Sequence, residues 1–257
     1  MATGQALNIV TSAQAEQYRT KGYVVLDAVI PPEHLALLRE ECETAIDLIH
    51  KRMDEAGTDT LGINHRNSRY FIPLFGISER VNEFLFSPLM ADICRATLGD
   101  TAYLFLDQYV VKAAERGMKF SWHQDSGYIP YDHTPYLTCW CTLDPVNEEN
   151  GTVYVLPYDR AGTRDRIEHV KEAGSNDMVG YFGDDPGDPI IAPAGSIAFF
   201  SSTVLHRSGP NLTDKMRRVY LAQYSAEPIM NDDGTKPRHT AEPFLKDGQV
   251  VAPVQQR

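Results

Sequence analysis

The stretch from Tyr136 to Leu156 reads YLTCWCTLDPVNEENGTVYVL. Its two ends, residues 136–143 and 152–156, are short runs of apolar, aromatic and β-branched residues. The segment between them carries turn chemistry at Asp144-Pro145 and Glu149-Asn150-Gly151. Runs this short, bounded in this way, predict two strands and their connection. The pattern repeats outward, with further strand-like runs at 103–111, 119–126, 190–192, 196–200, 204–208 and 218–224. Pro193-Ala194-Gly195 and Gly209-Pro210-Asn211 punctuate the later ones. A series of short strands behind a helical front predicts a mainly β fold with flanking helices: a double-stranded β-helix, or cupin-like jelly roll.

The front of the chain predicts helices. Thr11 and Gln14 have capping-box spacing, and Gly22 supplies the stop. Residues 23–30 read as a strand. Pro31-Pro32 opens a longer helix whose apolar stripe runs Leu35, Leu38, Cys42, Ala45, Ile46, Ile49 and Met53, with Gly57 past its end. Residues 57–80 lack periodicity and read as loop. Ser87-Pro88 opens a further helix that Gly99 closes. No repeat or linker divides the chain, so one domain over 1–257 is expected: a helical front segment over 1–100, a barrel core over 101–226 and a coil tail over 227–257. Residues 158–188 interrupt the strands with charge and glycine, which predicts a lid or insert.

Lysine and arginine number 24 against 35 acidic residues, for a net charge of −11 over 257 residues. That balance disfavours nucleic acid and anionic membranes as partners, and no basic run offsets it locally. Cys42, Cys94, Cys139 and Cys141 form no C-x-x-C pair, which speaks against a structural zinc or thioredoxin-type site. Cys139 and Cys141 share one strand face and read as buried apolar residues. The cysteine usage, the lack of a secretory opening and the absence of an apolar run near ~18–20 residues predict a cytoplasmic chain without a membrane span. Oligomeric state has no signal in the sequence.

The chemistry-bearing residues lie in the strand section. Side chains two apart on a strand share a face, so His123 and Asp125 of the 119–126 run point together. His206 sits on a later strand that a rolled barrel can bring alongside. Two imidazoles and one carboxylate form a facial set that suits non-haem Fe(II) and leaves three positions open. Zinc accepts the same donors, and His-x-Asp also occurs on surfaces and in satisfied cores. A zinc hydrolase or isomerase on a cupin-like barrel, and a non-catalytic binding barrel, therefore stay open on spacing alone. The other histidines, His34, His50, His65, His133, His169 and His239, read as surface or loop residues, and Lys112 as a surface charge. Arg217 and Arg218 open an apolar strand. An arginine aimed into a cavity is costly unless it meets an anion, and its fork suits a carboxylate.

Several blocks complete the pattern. They are Gly22-Tyr23-Val24-Val25 followed by His34-Leu35; Trp122-His123-Gln124-Asp125 with Tyr128 and Pro130; and Trp140, Leu143-Asp144 and Glu149-Asn150-Gly151-Thr152 with Val155 and Pro157. Late in the chain come Gly195-Ser196, Phe199-Phe200, Leu205-His206, Ser208-Gly209-Pro210-Asn211 and Arg217. Together they resemble the phytanoyl-CoA dioxygenase family of Fe(II)- and 2-oxoglutarate-dependent oxygenases, over most of the chain.

The resemblance implies His123, Asp125 and His206 as iron ligands, with 2-oxoglutarate and O2 as cosubstrates. It implies Arg217 and Ser208 on the distal carboxylate of 2-oxoglutarate, with Trp140 and Gln108 beside it. Gln124, Tyr128 and Trp140 become substrate-pocket candidates, and Arg66 or Arg69 an upstream basic contact. No catalytic residue beyond the metal ligands is implied. Asp125 fills the position that a halogenating relative leaves to halide, which favours hydroxylation or a related oxidation, desaturation or epoxidation. Tyr158-Asp159-Arg160 departs from the turn found in many members, so substrate does not carry over. The acidic balance favours a small metabolite over a coenzyme A thioester.

Overall fold

The computed structural model describes residues 8–114, 118–172 and 177–251. Thr11 and Gln14 close a capping box on the helix Ser12–Lys21, and Gly22 ends it at φ +87°. The strand that follows, Tyr23–Leu26, is shorter than the run 23–30, because the chain turns at Ala28 with φ +49°. Helix Pro32–Ala56 buries Leu38, Cys42, Ala45, Ile46, Ile49 and Met53 on one face. Helix Pro88–Thr97 starts at Ser87, whose hydroxyl accepts from Met90 N.

Two antiparallel sheets enclose a cavity, the jelly-roll arrangement. The larger runs in the order Tyr23–Leu26, Ile197–Ser201, Leu137–Thr142, Arg217–Ser225, Ala102–Lys112, Arg69–Ile72, Asn64–His65, Thr60–Leu61. The smaller runs Asp188–Pro189, Val153–Leu156, Leu205–Ser208, Phe120–His123. Alternation along the strands divides the interior. Cys139, Cys141, Tyr220, Ala222 and Tyr224 face the helices in one core. Trp140, Val219 and Ala198 face Val153 and Val155 of the smaller sheet in a second. Thus Leu137–Thr142 is buried at every position, as expected of a strand covered on both faces.

Three segments differ from the sequence reading. Residues 57–80, read as loop, contain three short strands that extend the larger sheet past Ala102–Lys112. The tail, read as coil, supplies Glu242–Lys246, which pairs with the beginning of Ala102–Lys112. Both segments pair because that long strand offers them an open edge, a cause that lies outside their own patterns. The run 190–192 forms only a bridge, Val146 to Ala192, beside the short strand Asp188–Pro189. The insert 158–188 holds a helical turn, Tyr158–Ala161, and the antiparallel strand pair Val170–Lys171 and Met178–Val179. It is anchored to the small sheet through Gly180 N, which donates to Trp122 O at 2.8 Å.

Candidate metal centre

Phe120–His123 and Leu205–Ser208 are neighbouring strands, with His123 directly opposite His206. Their rings stand 4.3 Å apart, centroid to centroid. Strand geometry ends at His123, two residues short of Asp125, and Asp125 opens the 3-10 helix Asp125–Tyr128. Gln124 keeps an extended backbone (φ −106°, ψ 142°), so Asp125 still turns to the same side. One donor atom from each of His123, Asp125 and His206 lies within 4.8 Å of the others.

Each of these side chains is held by its remaining polar atoms. His123 Nδ1 bonds Ser121 O at 2.7 Å and His206 Nδ1 bonds Val204 O at 3.0 Å. A ring nitrogen facing a carbonyl must carry the proton, so each Nε2 lone pair is left for a cation. Burial, with His206 beside it, pushes the His123 pKa well down and keeps the ring neutral. Asp125 Oδ2 accepts from Thr138 Oγ1 at 2.6 Å and from Gln223 Nε2 at 3.1 Å. Its Oδ1 faces His206 Nε2 at 3.5 Å. Thr138 and Gln223 had no signal in the sequence, since strand pairing alone sets them opposite each other.

The three donors line a cavity of about 380 Å³. Arg217 reaches into it from the next strand, only 2% exposed. Its Nη2 donates to Gly151 O at 2.9 Å, while Nε and Nη1 have no partner. Gly151 is required there: at φ +79°, a Cβ would sit 2.7 Å from Gly209 O. Trp140 stacks near the guanidinium at 5.7 Å, and burial pushes its pKa down to about 10. Such a site costs stability unless an anion completes it. Ser208 and Gln108 line the same cavity.

Lys112, read as a surface charge, is 1% exposed. It lies opposite Arg217 and Arg69 on the flanking strands, and strand alternation takes it inward with them. Its Nζ donates to Ser208 Oγ at 2.7 Å and to Gly209 O. Ser208 therefore keeps its own proton free to donate. Burial and the Arg217 charge push the Lys112 pKa well down.

Of the two upstream arginines, Arg69 lines the cavity between Phe71 and Phe120, whereas Arg66 pairs with Asp54 and Asp59 outside it. Tyr128 lines the cavity with its ring nearly perpendicular to that of His123, centroids 5.5 Å apart. Gln124 does not line it. Its amide is fully buried on the opposite side, donating to Asp165 O and Thr203 O and accepting from Ile167 N. Residues two apart on an extended chain share a face, so the residue between two donors that point together must face away. His169, read as a surface or loop residue, accepts from Gln124 N at 2.9 Å and fastens the insert to the chain just past strand Phe120–His123.

The family model for phytanoyl-CoA dioxygenase (PhyH) matches residues 18–219, the span that contains all three donors and Arg217. The chain belongs to the phytanoyl-CoA dioxygenase family. Among relatives of this family chain, a probable alpha-ketoglutarate-dependent hypophosphite dioxygenase of Stutzerimonas stutzeri is 23% identical over 83% of this chain and 78% of its own. Ectoine dioxygenase of Bordetella bronchiseptica is 25% identical, over 91% and 82% respectively. The fold is shared with the epimerase SnoN, solved with Fe3+, alpha ketoglutarate and nogalamycin RO, at a TM-score of 0.60 and 20% identity, covering 93% of this chain and 94% of that one. The relatives are thus dioxygenases by name, while a protein that shares the fold is an epimerase.

Proposed function

We propose that the protein is an Fe(II)- and 2-oxoglutarate-dependent dioxygenase that hydroxylates a small-molecule metabolite. The overall change is substrate C–H, O2 and 2-oxoglutarate to substrate C–OH, succinate and CO2. The observation that carries the reading is Arg217: a buried guanidinium with two unpartnered nitrogens, lining the same cavity as two imidazoles and a carboxylate. That donor set suits ferrous iron, and the guanidinium fork suits a terminal carboxylate.

In this reading His123, Asp125 and His206 would hold the iron. Arg217 and the Ser208 hydroxyl, turned by Lys112, grip the distal carboxylate of 2-oxoglutarate, with Gln108 and Trp140 beside it. Iron with 2-oxoglutarate and O2 supplies the oxidising power for an unactivated C–H bond. The protein positions the substrate beside the metal, against Tyr128, and keeps bulk water out. No helix among the described residues is long and apolar enough to cross a membrane.

The test is a succinate-release screen of a metabolite panel with Fe(II), 2-oxoglutarate and labelled oxygen. Product should carry one label and match succinate one to one. Asp125→Ala should abolish both. Full coupled turnover in that variant, or turnover indifferent to 2-oxoglutarate, would sink the reading.

A further inference from the structure

Away from Arg217 the cavity has a second region, built partly by the tail. The family match ends at residue 219, yet Arg238 and His239 line the cavity. Their loop is firmly placed: Arg238 N donates to Ile229 O at 2.9 Å and Thr240 N to Phe105 O at 3.0 Å. The walls are aromatic. His239 meets Phe105 edge-on at 5.0 Å, and Phe105 packs on Tyr136 at 4.8 Å. Ile129 and Leu106 complete an apolar surface.

Arg238 is the charged group in this region. Its Nη2 donates to Tyr128 O at 3.0 Å and its Nη1 makes a long 3.5 Å contact to Tyr131 OH. Its Nε is buried with no partner. Among the described residues no carboxylate pairs with it. Arg166 adds a second guanidinium nearby, donating to Tyr131 O at 3.3 Å. In a chain of net charge −11, an arginine without a carboxylate partner on the wall of an apolar cavity offers a local place for an anion, and the exposed Arg166 adds positive charge outside it. Arg238 is tied to the metal side through Tyr128, whose ring lies against His123.

We propose that Arg238 selects the substrate: a compact molecule with an apolar body and a carboxylate, its charged end on Arg238 and its body along Phe105 and Tyr136. The proposal rests on the dioxygenase reading for the fate of that substrate, but not for its binding. A cavity of about 380 Å³ shared with a five-carbon diacid has room for a compact body, and not for an enclosed coenzyme A thioester.

The test is anaerobic calorimetry on the full chain, with and without Fe(II) and 2-oxoglutarate. The probes are 3-phenylpropanoate and hexanoate, each against its uncharged primary amide. Both acids should bind roughly tenfold or more tightly than their amides, the worth of a charged hydrogen bond. Arg238→Gln should erase that preference and leave 2-oxoglutarate affinity unchanged, while Arg238→Lys should keep part of it. Equal binding of acid and amide, no binding of either acid, or a preference that survives Arg238→Gln overturns the proposal. If the preference holds while iron and 2-oxoglutarate fail to bind, the anion subsite stands and the dioxygenase reading falls.

Discussion

Removing the Thr138 hydroxyl tests how the metal centre is held. Asp125 spends one oxygen on Thr138 and Gln223, at 2.6 and 3.1 Å, and turns the other toward His206. Thr138→Val keeps the side-chain shape in a strand buried on both faces, and removes the hydroxyl that donates to Asp125 and accepts from Gln223 at 2.9 Å. A hydrogen bond to a charged group contributes about 1.5–3 kcal/mol, or roughly 10- to 150-fold in a binding constant. Residues that orient metal ligands typically cost 10- to 100-fold on mutation. Gln223 still holds the oxygen in the single variant, so the lower end applies, with iron affinity falling about tenfold. The Thr138→Val/Gln223→Leu pair should lose about a hundredfold. Anaerobic titration with Fe(II), repeated with redox-inert Co(II), reads these constants directly. An unchanged dissociation constant in the folded double variant would refute the claim that these two side chains place Asp125.

Two further outcomes follow from the buried cations. Arg217→Met should weaken 2-oxoglutarate by roughly 30-fold or more, the cost of losing one partner of a buried charged pair. Its ligand-free melting temperature should rise, because a desolvated guanidinium with two unpaired nitrogens is removed; scanning calorimetry with and without 2-oxoglutarate separates the effects, and a lower melting temperature would contradict the second. For Lys112 the folded pKa lies well below its unfolded value of ~10.4, so between the two the unfolded chain binds a proton that the folded one lacks. Stability from this group therefore rises with pH, and the stability difference between native protein and Lys112→Met should shift in favour of the native chain from pH ~7 to ~9. Denaturant titrations that show no pH dependence in that difference would mean that Lys112 is charged in the fold.

Much of this was legible before any coordinates. The turns at Asp144-Pro145 and Asn150-Gly151, the caps at Thr11 and Ser87 and the stop at Gly22 act through residues a few positions apart, so the chain announces them locally. His123, Asp125 and His206 were legible as candidate donors through the blocks around them, since spacing alone left the pair open, and the structure brings their donor atoms within 4.8 Å. What only the tertiary structure decided is how distant strands line up. Register across Arg69–Ile72, Ala102–Lys112 and Arg217–Ser225 buries Lys112 between two arginines, and register across Leu137–Thr142 brings Thr138 and Gln223 to Asp125. The same assembly turns Gln124 away from the cavity and carries Arg238 to it. A side chain's neighbours across a sheet depend on pairing between segments far apart in the chain, and local periodicity holds no record of that pairing.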